Sequence, residues 1–517
     1  GSVCVEGAMQ VREGGAPVAP GLAAMRHDGA TVIIDGSQIV HNIDIEITLT
    51  SLLRDLQGNP LNQDQTLYLR LADFVLPGGS PANLRSPLIA SVYPGYPCAL
   101  VDAVLTGPQE DWRNGRCDGG QSDDPRYPIP ELFVEQSLRV IFNRSIDPGS
   151  VNESTFFVER RIEDGTWQAI PGHLTILPQR IEFHPDRPWQ GGSLYRYTLR
   201  STNNAVNCGV NAICALDGAP IQTRQISQSS STAPGPRQGG PNLVNHFLVS
   251  GEDRRFTVVS LRSLPAADVN ANLVLDGAEQ GVQDVGGTLV IPPNVLGMRL
   301  VSTSGVVTSA NLGCSIGEDC PEKRFVYVAS GALQAGVRRY DAEAEVNRRL
   351  LDGNPDTDDW TTGAIMADVF PNTLTTTGVF LEARALSLIT IPLNTGPLVL
   401  RLDYKDNQPI QGFITDTADG PWFSTTFDLL IDAPELEPRL LIELGHDIRS
   451  KRVENVTLEG PLRFVDDGRL VLKVRNPDPL VIPANIDLLG IGLAGVVLEV
   501  PPLAVDLTFT FLPVKDF

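Results

Sequence analysis

The 517-residue sequence contains few Met, Trp and His residues, with four, five and six of them respectively. It also lacks three linear enzyme motifs: the Gly-x-Ser-x-Gly elbow, the His-Glu-x-x-His pair and the phosphate-binding Gly-Lys-Ser/Thr loop. A pair of carboxylates among the 62 acidic residues could still meet in space. The sequence offers no catalytic residue, and a non-catalytic role is favoured.

Long apolar runs are also missing. The longest spans 488–498 and ends at Glu499, well short of the ~18 residues that a membrane-spanning helix needs. The chain begins with Gly-Ser and shows no signal peptide, so we expect that a targeting segment has been removed.

Basic residues are outnumbered, 40 against 62 acidic ones, which gives a formal net charge of −22. Such a surface repels nucleic acid and anionic lipid headgroups, and neither is expected as a partner. Divalent cations suit it better, although a charged coat that keeps the protein soluble explains the same composition.

The chain is rich in turn residues, with 48 Gly and 40 Pro, and this predicts an all-β fold. The pattern is clearest in 137–201, where apolar residues alternate with polar ones between turns, for example at Tyr195, Tyr197 and Leu199. One segment, 338–351, looks helical instead. We expect several Ig-like β-sandwich domains in tandem, followed by a β-rich C-terminal region.

Residues 131–222 resemble the bacterial Ig-like domain of the SbsA type. The resemblance is carried by a strand with Asn at its end, a following Asp-Pro turn, and the later Phe-His-Pro and Gly…Tyr-x-Tyr-x-Leu pieces, at 140–143, 146–152, 183–185 and 192–199. A family-type turn at 55–61 suggests a divergent second copy over 31–95. Such domains usually serve as spacers, stalks or binding modules, so the resemblance implies a scaffold.

The predicted domain organisation has six parts. They are an extended arm (1–30), the divergent Ig-like unit (31–95), the SbsA-type domain with a stapled loop (96–224), a linker rich in Ser, Pro and Gly (225–241), a β-rich domain (242–385) and a C-terminal β domain (386–517).

Six of the seven cysteines fall into three close pairs: Cys98 with Cys117, Cys208 with Cys214, and Cys314 with Cys320. None has the two-residue spacing of a zinc knuckle, so we predict local disulfides and a location outside the reducing cytosol. Cys4 is left over. It is a lipidation candidate, although Gly1-Ser2-Val3 matches a lipobox poorly, and it is otherwise a free thiol or pairs elsewhere.

The best candidate ligand site is a calcium loop that starts at Asp268. Its oxygen donors have the spacing of an EF-hand-type loop: Asp268, Asn270, Asn272, the carbonyl of Val274, Asp276 and Glu279. Leu273 occupies the position where the sharp turn normally needs Gly. A bound calcium ion would be structural; the alternative is a turn stabilised by Asx side chains.

Two further features lie near the C terminus. The glycines of 490–495 fit a dinucleotide-binding pattern, but Pro501 and Pro502 prevent the helix that must follow, so we interpret them as glycines of packed strands. The apolar region 470–512 is either an ordinary sandwich core or a face that docks on a partner or on lipid.

These features together predict an exported bacterial protein of the extracellular space or the outer-membrane cell envelope, acting as a structural, adhesive or assembly component. Its expected partners are other envelope or surface proteins. Two alternatives stay open: a secreted hydrolase with accessory Ig-like domains, and a lipoprotein partner of an outer-membrane complex anchored through Cys4.

Overall fold

A computed structural model shows that the protein is built from β-strands, and its described residues contain no α-helix. The all-β prediction is therefore confirmed, and no described helix has the length and apolarity needed to cross a bilayer. The described residues are 7–13, 16–17, 24–28, 31–35, 44–54, 58–70, 85–101, 103, 105, 114–118, 124, 126–134, 136–203, 205–224, 237–250, 256–261, 282–283, 289–290, 294–318, 324–347, 360–370, 373–403, 409–436, 445–464, 469–488 and 491–511.

The chain divides into two compact units, Gly1–Leu84 and Arg85–Phe517. The first unit holds a four-stranded sheet in the order β2-β1-β5-β6 and a separate hairpin of β3 and β4. Its strands are β1 (Met9–Glu13), β2 (Ala16–Pro17), β3 (Ala24–Asp28), β4 (Thr31–Asp35), β5 (Asp44–Leu49) and β6 (Gln65–Arg70).

The second unit begins with two sheets that pack face to face, one of five strands in the order β10-β17-β16-β12-β13 and one of four in the order β14-β15-β11-β7. The strands of this region are β7 (Ile89–Tyr93), β8 (Leu100–Val101), β9 (Arg116–Cys117), β10 (Glu131–Phe133), β11 (Leu138–Phe142), β12 (Phe156–Arg161), β13 (Trp167–Ala169), β14 (Gly172–Leu177), β15 (Arg180–Pro185), β16 (Leu194–Leu199) and β17 (Leu243–Ser250). A 3-10 turn, Pro148–Ser150, follows β11.

The core of this sandwich is built by the predicted alternation. Leu138, Val140 and Phe142 are fully buried, as are Tyr197 and Leu199. Side chains at every second strand position point to one face, so these residues meet between the two sheets.

Two strands of the sandwich lie outside the predicted 96–224 segment. β7 pairs with β11, and β17, which follows the predicted linker, pairs with β16 and β10. The predicted domain boundaries stay predictions, whereas these pairings show which stretches share one core.

The remaining strands carry most of the second unit. They are β18 (Phe256–Leu261), β19 (Val282–Gln283), β20 (Leu289–Val290), β21 (Val295–Gly305), β22 (Val307–Leu312), β23 (Arg324–Ser330), β24 (Gln334–Asn347), β25 (Trp360–Phe370), β26 (Thr373–Thr376), β27 (Phe380–Ala385), β28 (Ile389–Asn394), β29 (Val399–Leu402), β30 (Ile410–Thr417), β31 (Gly420–Asp432), β32 (Gly445–His446), β33 (Lys451–Phe464), β34 (Leu470–Val474), β35 (Leu480–Leu488), β36 (Ile491–Val500) and β37 (Val505–Phe511).

Fifteen of these strands form one sheet that closes on itself. The pairings run from β37 through β34, β33, β31, β29, β26, β23 and β21 back to β37, so the closed sheet has eight strand positions. β30, β25, β24 and β18 form a second set, joined to β31 at one side and to β37 at the other. β31 and β37 each pair with this second set and also with strands of the closed sheet, β29 and β21 respectively. The second set therefore lies end to end with β29, β26, β23 and β21.

Strand β37 shows which face of the closed sheet carries the apolar side chains. Val505, Leu507, Phe509 and Phe511 are buried, and the residues between them are partly exposed. The alternation therefore turns apolar side chains into the closed sheet and leaves Asp506 and the threonines on the outer face.

The helix predicted over 338–351 is wrong, because most of this segment belongs to strand β24. Its backbone hydrogen bonds go to β25, with Tyr340 opposite Ile365 and Val346 opposite Thr361. A weak helical face buries little apolar surface, whereas pairing with β25 satisfies backbone groups at both ends of two irregular stretches, including 340–341 and 345–347.

Candidate apolar binding site

A cavity with about 730 Å3 of empty space, including volume open to solvent, lies inside the closed sheet. Seven of the eight strand positions contribute to its wall, and at the position of β23 the segment that follows this strand contributes instead. The lining residues are apolar with one exception: Leu296, Ala332, Leu333, Val369, Leu374, Leu400, Leu402, Phe423, Thr425, Phe427, Leu429, Val456, Leu458, Val474, Leu480, Val505, Leu507 and Phe509. Small-molecule sites are also lined mainly by apolar side chains.

The polar exception, Thr425, does not make the cavity polar. Its hydroxyl donates a hydrogen bond of 2.9 Å to the backbone carbonyl of Gln411, the residue next to Gly412, which is the cross-strand partner of Thr425. A water molecule needs several polar partners, and apolar cavities of this kind stay dry and accept apolar molecules. The site can therefore hold a hydrocarbon group and offers nothing to a charged one.

The outer face of the same wall carries a buried ion network centred on Arg401. Arg401 lies between the cavity-lining Leu400 and Leu402 on β29 and is only 2% exposed. Its guanidinium donates to Asp432 at 2.8 Å and to Asp124 at 3.2 Å, and it also donates to the Ser450 hydroxyl at 2.7 Å. Burial alone would lower the pKa of Arg401, but the two carboxylates raise it above its usual value.

The network attaches the segment from Tyr96 to Tyr127, which contains the Cys98–Cys117 disulfide and is called the stapled segment below, to the closed sheet. Tyr96, Cys98, Cys117 and Tyr127 form an apolar cluster with Val399, which is the β29 residue two positions before Arg401. Burial raises the pKa of Tyr127 to about 12, so its phenol stays neutral at physiological pH. Charged and apolar contacts from the same segment thus cover one side of the cavity wall.

The predicted cysteine pairs are found where the structure describes them. Cys98 is bonded to Cys117, and Cys208 to Cys214. Cys314 is also disulfide-bonded, but its predicted partner Cys320 lies outside the described residues, as does the lipidation candidate Cys4.

The predicted calcium loop, 268–279, also lies outside the described residues. Within the part of the chain that is described, no group of three or more His, Cys, Asp or Glu side chains is arranged to hold a metal ion. The calcium site stays a prediction.

Sequence patterns did not point to the cavity or to Arg401. A signal for the ion network existed, because Arg401 interrupts the apolar run 398–402 and Asp432 ends another at 429–431. A charged residue inside an apolar strand predicts a buried partner of opposite charge, since isolated buried charges are strongly destabilising. The cavity left no such signal, because lining residues and packed core residues have the same sequence pattern.

Comparisons with known proteins provide one curated relative. The chain is 30% identical to "Alkane uptake protein B" of Marinobacter nauticus, in an alignment that covers 99% of this chain and 50% of the relative. The chain thus spans about half the length of the curated relative that it matches. No protein-family model matches the sequence.

The predicted location in the cell envelope, extracellular or at the outer membrane, is supported by two findings. The chain forms disulfides, which persist outside the reducing cytosol, and it is similar to a protein named for uptake.

Proposed function

We propose that this protein is a non-catalytic envelope component of hydrocarbon uptake, which holds an alkane-like molecule inside the closed sheet. The observation that carries the proposal is the cavity wall, in which Thr425 is the one polar residue and has its hydroxyl engaged. The relative named for alkane uptake supports the same class of ligand.

The physical basis is the transfer of apolar surface out of water. Each CH2 group buried contributes about 0.8 kcal/mol, so a chain of several carbons gains a useful affinity without any hydrogen bond. A carboxylate or hydroxyl in the same place would lose its water and find no partner, which disfavours fatty acids and alcohols that enter head first.

A displacement experiment tests this function. A fluorescent apolar probe should bind the wild-type protein and be released by hexadecane. The Leu402→Trp variant should bind the probe at least tenfold more weakly, because the larger side chain fills part of the cavity while the wall stays apolar.

The matched control is Leu216→Trp, the same substitution at an exposed position of the sandwich, which should leave probe affinity unchanged. Unfolding midpoints of both variants establish that they are folded. Equal probe binding by wild type and by folded Leu402→Trp would contradict a ligand site inside the closed sheet.

We also propose that the sandwich is an Ig-like module of the SbsA type that acts as a spacer or assembly element, with other envelope or surface proteins as partners. Two observations support it: the sandwich packs two sheets around one core, and its Asp147 side chain caps the Pro148–Ser150 turn inside the family-like segment. A docked sandwich next to the ligand cavity suits an assembly role better than an adhesive one.

The calcium loop gives a separate prediction. If Asp268 to Glu279 bind calcium, a chelator should lower the unfolding midpoint, because an ion that binds only the folded state stabilises it. Differential scanning fluorimetry with EDTA, and then with calcium added back in excess, measures the effect. The Asp268→Asn variant serves as control and should lose the response; an identical midpoint with and without chelator would contradict the site.

A further inference from the structure

We propose that three hairpin ends at one end of the second unit form a surface that inserts into a phospholipid bilayer. We call it the tip surface and define it as the β21–β22 turn (305–307), the β27–β28 turn (386–389) and the end of the β35–β36 hairpin (488 and 491). The inference rests on the proposed function, since a carrier of water-insoluble molecules must collect them from an apolar phase.

The strand register brings the three ends together. The amide of Leu386 donates a 2.8 Å hydrogen bond to the carbonyl of Val306, which places the β27–β28 turn against the β21–β22 turn. Gly305, at the end of β21, is paired with Ala494 of β36. Strand β36 extends three residues past that pair to Ile491, the partner of Leu488.

The β27–β28 turn exposes large apolar side chains. Leu386 is 62% exposed, Leu388 88% and Ile389 45%. Single exposed apolar residues are common on protein surfaces, but neighbouring ones in one turn indicate an interaction site.

The backbone of this turn makes its sequence unusual. A hydrogen bond of 3.1 Å from the amide of Leu388 to the carbonyl of Ala385 closes a β-turn, and both central residues have positive φ, 51° for Leu386 and 61° for Ser387. Turns of this kind favour Asn and Gly, because other side chains crowd the backbone there. Leucine is thus held in a strained and solvent-exposed position, and residues with strained backbones cluster at functional sites.

The charge pattern favours lipid as the occupant. No charged residue occurs between Arg299 and Glu318, between Arg384 and Arg401, or between Asp487 and Glu499, although a fifth of the whole chain is charged. A deformable acyl layer accommodates exposed apolar turns without a matching groove. With a net charge of −22, contact with a membrane depends on apolar insertion and not on attraction to anionic headgroups.

The tip surface is also joined to the cavity by continuous apolar packing. One hydrophobic cluster contains Ala385 and Val307 beside the turns, and Leu402 and Leu507 in the cavity wall. Along β21 the two sites are separated by the nine residues from Leu296 to Gly305, which corresponds to about 30 Å of extended strand.

Flotation with neutral phosphatidylcholine vesicles tests the proposal. The 517-residue protein should float with the vesicles, and the Leu386→Ser/Leu388→Ser variant should bind at least tenfold less. Raising NaCl from 0.15 to 1 M should change wild-type binding by less than twofold, because little electrostatic attraction is involved.

Val210→Ser is the matched control, since Val210 is 89% exposed but lies in the Cys208–Cys214 loop of the sandwich. It should float as wild type does. The proposal would be overturned if wild type stayed with the unbound fraction, if the double variant floated equally well, or if the double variant lost self-association and not vesicle binding, which would identify a second copy as the occupant.

The failure of this inference can be told apart from failure of the proposed function. The double variant should keep its affinity for the fluorescent probe, and Leu402→Trp should keep its affinity for vesicles. If the protein binds the probe but not the vesicles, the cavity function stands and membrane insertion by the tip surface is excluded. If it binds the vesicles but not the probe, only the cavity function is excluded.

Discussion

The Arg401→Ala variant should lose about 3–5 kcal/mol of stability, the range measured when one partner of a buried ion pair is removed. Arg401 is 2% exposed and its guanidinium holds Asp432 and Asp124. Truncation leaves both carboxylates buried near each other without their cation. Denaturant unfolding of the wild type and the variant, at the same pH and ionic strength, measures the change.

A surface pair provides the control. Arg299 binds Glu499 at 2.7 Å, but its side chain is 40% exposed, so Arg299→Ala should cost less than about 1 kcal/mol. A loss of similar size in both variants would mean that the Arg401 network is open to water and does not depend on burial.

The same network also holds the stapled segment against the closed sheet. Since Asp124 belongs to that segment and Asp432 to the closed sheet, Arg401 ties the two together at the wall of the cavity. We therefore expect that Arg401→Ala also exposes Tyr127, whose fluorescence and titration near pH 10 would report the loss of burial.

Removal of the Cys98–Cys117 disulfide should have the second largest effect on the free energy of unfolding. The bond closes a loop across a sequence separation of 19 residues, and its loss in the Cys98→Ala/Cys117→Ala variant should cost about 3 kcal/mol through the added entropy of the unfolded chain. The two half-cystines also pack on Val399, so the cavity wall loses part of its outer cover. Thermal unfolding of the double variant and of wild type measures the difference.

The shorter disulfide is the internal comparison. Cys208 and Cys214 are separated by six residues, and the same entropy argument gives about 2 kcal/mol for their removal. A larger loss for the shorter loop would contradict the chain-entropy explanation and would indicate that contacts around Cys208 dominate.

Local chemistry in the sequence was enough to predict several features. Alternation at Leu138, Val140 and Phe142 depends only on the two-residue period of a strand, and short cysteine spacings limit which sulfurs can meet. The all-β class and the Cys98–Cys117 and Cys208–Cys214 disulfides were accordingly predicted correctly. The helix expected at 338–351 failed because a long-range partner, β25, outweighed a weak local preference.

What the sequence by itself determined is the strand pattern: which residues turn inward, where turns fall and which cysteines lie close. Only the tertiary structure decided that fifteen strands between 256 and 511 form one closed sheet around an apolar cavity, and that Asp124, 277 residues away in sequence, contacts Arg401. The reason is that strand pairing joins residues of any separation, and the sequence period of an apolar strand is the same whether its side chains fill a core or line a cavity.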